Sequence, residues 1–439
     1  MRLLNILSIL LIATTVSANQ LLADSFSDNV VYFDTPMKED EPKLKDMWDG
    51  LWPFQGINTF AHLEHDKCLL DPALEYDIGI IGVPFDTATS YRPGARFGPR
   101  AIRAASQRQT SLRGYNQRAD FNPYTSWAKI LDCGDIPVTP MDNSLAFKQM
   151  NKGFEELIAR RNSKNSTSTP PRYVILGGDH SVLLPHLRAL HEIYGKINIL
   201  HFDAHLDTWG PDKYPSFWHS KQAELNHGSM LWKANKEGLT SQTNVHAGVR
   251  TKLSGIQDYV DDDDQNFTRI TADDIWIKGV QYVVDKILDT IPQDTPTYLS
   301  VDIDVLDPAF GSGTGTQEPG GWLPRELIYI LRSIENLSIV GADIVEVSPA
   351  FDTAEITATN GAQVVFEVLT SMVKKGSLAH LVKNNNPKDL LEIKSNNDAK
   401  STQYLDKQEI NKLIETKLKE FEEIKFNLLS EIEQLKSTQ

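Results

Sequence analysis

The chain has 439 residues, 40% hydrophobic and 23% charged, a globular composition that excludes a fibrous or wholly disordered protein. A net charge of −15 argues against a nucleic-acid binder, which needs a basic face. The two cysteines, Cys68 and Cys133, allow one disulfide but no cysteine-rich metal site.

Residues 1–18 read as a signal peptide. Arg2 supplies the positive charge, Leu3 to Ala13 an uncharged apolar run, and Val16 and Ala18 the small residues of a cleavage site. The run is short for a bilayer span, so cleavage before Asn19 is expected, with no membrane attachment afterwards. The expected compartment is the secretory route: secreted, vacuolar or cell-surface. Asn165, Asn266 and Asn336 each begin an N-x-S/T sequon, and Asn165 lies in a polar run that reads as an exposed loop. Residues 19–53 form an N-terminal extension, and the core domain is expected over 54–383. A polar linker follows over 384–403. Over 404–439, Ile414, Phe421, Leu428 and Leu435 recur every seven residues and predict an amphipathic or coiled-coil helix.

Within the core, short apolar runs over 77–83, 173–176, 197–202, 297–301 and 338–345 read as buried strands. Helical periodicity occupies 182–193, 275–288, 325–334 and 355–373. Strands alternating with helices predict an α/β protein with a parallel sheet covered on both faces. Ligands of such sheets bind beyond the carboxyl ends of the strands, and four of these five runs end in acidic residues or histidine.

Three clusters sit there. Gly177-Gly178-Asp179-His180-Ser181 places His180 after a tight turn. Asp203-Ala204-His205-Leu206-Asp207 offers ligands at alternate positions, which share one face of an extended segment. Asp302 and Asp304 repeat that spacing, and Asp307-Pro308 reads as a turn. Two histidines and four aspartates are too many ligands for one ion and suit two, with Asp203 and Asp302 bridging. Carboxylate-rich shells favour hard divalent ions such as manganese or magnesium. Two such ions can hold a bridging hydroxide at neutral pH, a hydrolytic nucleophile.

These motifs resemble the ureohydrolase family of arginases and agmatinases, over roughly residues 54–375. Gly-Gly-Asp-His-Ser (177–181), Phe-Asp-Ala-His-Leu-Asp (202–207), Ser-Val-Asp-Ile-Asp-Val-Leu-Asp-Pro (300–308) and Ile-Val-Glu-Val-Ser-Pro (344–349) carry the likeness. The runs 82–86, 90–99 and 313–321 look most like fungal-type agmatinase, although Gln317 stands where proline is usual and Leu206 where threonine is frequent. The resemblance implies a three-layer αβα sandwich of the arginase/deacetylase-like fold. It implies two Mn2+ per subunit, one on His180, Asp203, Asp207 and Asp302, the other on Asp203, His205, Asp302 and Asp304. It makes His227 the proton-shuttling histidine and Glu346 the carboxylate that grips a guanidinium, whose paired donors suit it. A homo-oligomer is also expected.

Arginases recognise the α-amino and α-carboxylate groups of arginine through a shorter loop than residues 208–226, which lack that pattern. The expected reaction is therefore hydrolysis of agmatine to putrescine and urea. Guanidinobutyrate, arginine or another guanidino compound is the alternative substrate. A catalytically dead secreted binding protein is disfavoured, because His227, Glu346 and all six ligands are present.

Overall fold

Eight short segments, most of them rich in Ile, Val and Leu, form strands: β1 Ile78–Gly82, β2 Ile130–Asp135, β3 Arg172–Leu176, β4 Asn198–Phe202, β5 Asn244–Val249, β6 Phe267–Thr271, β7 Pro296–Asp302 and β8 Ser338–Val345. The protein is seen here in a computed structural model, which describes residues 52–160, 162, 169–213 and 220–383. The leader, most of the N-terminal extension, Asn165, the linker and the C-terminal heptad segment lie outside the described residues.

All strand pairs are parallel, in the order β2-β1-β3-β8-β7-β4-β5-β6. Nine α-helices accompany them among the described residues: α1 Gly98–Ala105, α2 Asn143–Leu157, α3 Leu183–Tyr194, α4 Met230–Lys236, α5 Ile256–Asp263, α6 Ala272–Lys278, α7 Val280–Thr290, α8 Pro324–Ser333 and α9 Ile356–Lys375. Successive strand residues point to opposite faces, so each strand feeds two cores. Val174, Leu176, Leu299 and Val301 pack with Ile102 of α1, Ile287 of α7, Ile330 of α8 and Leu369 of α9. Tyr173, Ile175, Ile199 and Tyr298 pack with Phe154 of α2, Leu187 of α3 and Leu231 of α4. Each fully buried aliphatic side chain contributes roughly 1.5–3 kcal/mol relative to exposure. The expected three layers, helix on sheet on helix, are present. Among the described residues no helix is long and apolar enough to cross a membrane.

The five predicted strands form close to their expected bounds. The helix expected over 275–288 is instead two. Gly279 adopts φ +87°, a left-handed conformation that suits glycine, and separates α6 from α7. Strands β2, β5 and β6 went unpredicted because polar residues interrupt them. In β2, Asp132 is buried and paired with Arg103 of α1, Nε to Oδ2 2.9 Å, while Arg103 Nη1 reaches Asp135 at 2.6 Å. The same strand carries Cys133, disulfide-bonded to Cys68.

The four strands β3, β8, β7 and β4 are contiguous in the sheet. His180 follows β3, Glu346 follows β8, Asp302 ends β7 with Asp304 just beyond, and Asp203 follows β4. Sheet order thus brings together residues from opposite halves of the sequence.

Candidate metal centre

After β3 the chain turns through Gly177-Gly178, where side-chain space is absent: a Cβ on Gly178 would lie 1.8 Å from the Phe85 carbonyl oxygen. The turn delivers Asp179 and His180 onto a short 3-10 segment, His180–Val182. His180 is buried, and its Nδ1 lies 3.1 Å from Asp203 Oδ2, 3.1 Å from Asp207 Oδ2 and 3.4 Å from Asp302 Oδ2. His205 Nδ1 lies 3.3 Å from Asp203 Oδ1 and 3.0 Å from Asp304 Oδ2. The two sets meet at Asp203, one oxygen facing each. All six expected ligands therefore converge. The route differs from the expected one. Asp203 to Asp207 is not extended; it is a turn closed by Asp207 at φ +56°. Asp302 offers Oδ2 to the His180 set, while its Oδ1 accepts the Asp304 N–H at 2.8 Å. Asp307 anchors a turn by accepting the Gly320 and Gly321 N–H groups at 2.9 and 3.1 Å.

The tautomer of His180 is fixed from behind. Ser300 Oγ donates to Asp343 Oδ1 at 2.7 Å, so it accepts from His180 Nε2–H at 2.6 Å. Tyr298 donates to the other Asp343 oxygen at 2.8 Å. His180 Nδ1 is then a bare lone pair aimed at three carboxylates, the outer-shell arrangement that prepares a metal ligand. His180 Nδ1 is buried and makes no hydrogen bond among the described residues.

The electrostatics call for a cation. Burial, with Asp304 and Asp203 beside it, drives the Asp302 carboxyl well above the usual range, and burial with Asp203 raises Asp304. Buried carboxylates this close are unstable as anions unless positive charge lies between them. The residues present fit divalent cations.

Asp203 also meets His201 of β4, Nε2 to Oδ2 3.0 Å. His201 Nδ1 reaches His246 Nδ1 of β5 at 2.8 Å, and His246 Nε2 reaches Asp262 of α5 at 3.0 Å. Asp262 further accepts from Thr208 Oγ1 at 2.6 Å and pairs with Arg269 at 2.5 Å. None of this array was singled out in the sequence. The available signal was a period-two histidine before Asp203 and a histidine inside an apolar strand.

His227 is buried beside the cluster. Its Nδ1 lies 3.0 Å from Glu346 Oε1, and its Nε2 receives the Ser90 backbone N–H at 2.9 Å with Ser90 Oγ at 2.7 Å. Burial opposes its protonation, but Glu346, Asp207 and Asp179 override this and raise its pKa to about 9. A backbone N–H pointed at Nε2 requires a bare lone pair there. Cations held by the acidic cluster would offset those carboxylates, and the neutral Nδ1–H tautomer would then fit both contacts. Glu346 sits at φ +61°, a costly conformation outside glycine, with Oε1 also accepting the His180 N–H at 2.9 Å. Its Oε2 is buried and lacks a hydrogen-bond partner among the described residues.

A cavity of about 210 Å³ opens over these groups, lined by Ser90, His205, Asp207, Trp209, Lys213, His227, Gly228, Ser254, Asp302 and Thr316. The 208–226 loop thus contributes Trp209 and Lys213. Lys213 pairs with Asp258 at 3.0 Å and Asp261 at 3.3 Å. Gln317, at the position where proline is usual, donates to the Ser312 carbonyl.

A parallel αβα sandwich with a buried His/Asp cluster at its carboxyl edge defines a class of metal-binding hydrolases. The Arginase family model matches residues 76–370, and the chain belongs to this family, the ureohydrolases. It is 47% identical over 330 residues, 73% of this chain and 83% of the other, to a Schizosaccharomyces pombe protein named "Putative agmatinase 1". It is 38% identical to the agmatinase of Cronobacter sakazakii over 337 residues, 73% of this chain and 100% of that one. Among solved structures, proclavaminate amidino hydrolase from Streptomyces clavuligerus superposes with a TM-score of 0.64 at 34% identity, covering 74% of this chain and 100% of that one. The expected family and fold are borne out.

Proposed function

We propose that the protein hydrolyses the guanidino C–N bond of agmatine to putrescine and urea, with two manganese ions in the acidic cluster. The observation that carries this is Glu346 Oε2, a buried carboxylate oxygen beside that cluster with no hydrogen-bond partner among the described residues. It suits a planar cation, whose paired N–H donors match a carboxylate. Relatives named as agmatinases support the choice of substrate.

His180, Asp203, Asp207 and Asp302 would hold one ion, and Asp203, His205, Asp302 and Asp304 the other. When bound, the ions supply Lewis-acid activation of water at neutral pH. Glu346 orients the guanidinium through Oε2 while Oε1 holds His227 in place. The C–O bond forms from water, the C–N bond breaks, and the amine leaves with a proton. His227 moves that proton at Nε2.

Lys213 favours a second substrate. Its ammonium lines the cavity and would attract the carboxylate of guanidinobutyrate. Its two carboxylate partners outnumber its charge, which supports the amine instead. Urea release by the manganese-loaded protein from agmatine, guanidinobutyrate and arginine decides between them. Agmatine is expected to give the highest kcat/KM. A preference for guanidinobutyrate overturns the substrate, and no urea from any of the three overturns the reaction.

We also propose export through the secretory route with removal of residues 1–18. The Cys68–Cys133 disulfide suits an oxidising compartment, and Asn266 and Asn336 are exposed. Mass spectrometry of protein from its native host is expected to show an N-terminus at Asn19 and at least one glycan. A chain starting at Met1 with bare Asn165, Asn266 and Asn336 refutes export.

A further inference from the structure

Building on the hydrolytic function proposed above, we infer that Ser90 is a positioning and proton-relay residue, carrying protons between buried His227 and water at the cavity mouth. Ser90 makes two contacts with one atom. Its backbone N–H donates to His227 Nε2 at 2.9 Å, and its Oγ lies 2.7 Å from the same nitrogen. A backbone N–H is always a donor, so Nε2 carries no proton in the resting site. The ring proton sits on Nδ1 and is donated to Glu346 Oε1 at 3.0 Å.

Accepting a proton at Nε2 turns the acceptor into a donor. The Ser90 N–H then faces another hydrogen, and Nε2–H needs an acceptor. Ser90 Oγ is already within reach, and a hydroxyl accepts as readily as it donates. In the relay, the Nε2–H bond breaks and an O–H bond forms at Oγ. The hydroxyl's own proton passes to water in the cavity; run in reverse, the same path returns to His227 the proton it gives the leaving amine, and either way the hydroxyl is restored.

Exposure fits this path. His227 is 8% exposed, whereas Ser90 is exposed and lines the cavity. The segment is also held in place. Asp86 accepts the Gly94 N–H at 2.7 Å and Arg96 Nε at 2.5 Å, and the His227 N–H donates to the Ala88 carbonyl at 3.1 Å. The carboxylates that act most strongly on His227 are Glu346, Asp207 and Asp179.

The test compares Ser90→Ala, Ser90→Thr and wild type as full-length, manganese-loaded protein with agmatine. Ser90→Ala keeps the backbone N–H and removes only the hydroxyl. Its kcat is expected to fall roughly 10–100-fold, the scale of lost proton-transfer assistance, with metal content unchanged. KM is expected to stay within about twofold, because no ground-state contact to substrate is removed. Ser90→Thr should recover most of the rate. The dependence of kcat on deuterium fraction should bow for wild type, where two protons move together, and become linear for Ser90→Ala. Wild-type kcat and an unchanged isotope profile in Ser90→Ala overturn the relay, as does an equal loss in Ser90→Thr. If the wild type releases no urea, the hydrolytic function fails first. Nitrogen-15 shifts of His227 in magnesium-exchanged protein then decide the positioning role: a resting Nε2–H tautomer overturns it, and Nδ1–H supports it.

Discussion

A neutral imidazole has one proton for two nitrogens, so what touches one nitrogen decides what the other can do. Asp343, through Ser300, holds the His180 proton on Nε2 and leaves Nδ1 as a lone pair toward Asp203 and Asp207. Ser90 does the reverse at His227. These contacts predict different outcomes for superficially similar substitutions. Asp203→Asn should abolish urea release and lower metal content, because a neutral amide holds a hard cation poorly. His227→Ala should keep its metal and lose about 10²–10⁴ in turnover. Glu346→Gln should also keep metal, yet lose orders of magnitude in kcat/KM through misplacement of the guanidinium. Metal analysis beside kinetics checks all three; full metal content in Asp203→Asn would remove it from the ligand set. The ligand residues were legible because Asp203, His205 and Asp207 crowd one short stretch. Their supports were not. Asp343 looks like an isolated acid in an apolar run until β8 is paired with β7, setting it against Ser300.

At the level of elements, the site depends on which strands are neighbours. The apolar runs identified β3, β4, β7 and β8 individually, but nothing local in them specifies the order β3-β8-β7-β4. Helix α3 shows a second effect of layering. Its His186 is fully buried, with its ring 4.7 Å from that of Phe154 of α2 and Nδ1 3.2 Å from the Tyr298 hydroxyl. Burial lowers its pKa from 6.5 to about 3. Between those values the unfolded chain binds a proton that the folded chain refuses, so stability falls as pH falls. His186→Leu removes this contribution. Its stability relative to wild type should improve by roughly 2 kcal/mol between pH 7 and pH 5. Urea unfolding at both pH values measures this, and parallel pH dependence of the two proteins would rule it out.

Over the whole molecule, the net charge of −15 is only loosely informative, but the concentration of buried acid at one sheet edge is specific. Asp179, Asp203, Asp207, Asp302, Asp304 and Glu346 share that edge, and Asp302 and Asp304 repel each other when both are ionised. Ions bound only to the folded chain stabilise it by mass action, about 2.7 kcal/mol at a hundredfold excess over Kd. Chelation should therefore lower Tm by several degrees, and manganese should restore it. An unchanged Tm in protein shown to be metal-free would mean that the cluster does not need a cation to fold. The sequence by itself determined the layered α/β class, the strands of the site and the six side chains that converge there. Hydrophobic period and short-range ligand spacing are local properties that a linear chain displays. Tertiary structure decided the rest: the break at Gly279, the pairing of Arg103 with Asp132, the His201–His246–Asp262 array and the Ser90 contact with His227. Each joins groups far apart in sequence or fixes a backbone angle by its surroundings. Strand order and loop packing place such groups within hydrogen-bond distance, and neither is written in any single stretch of residues.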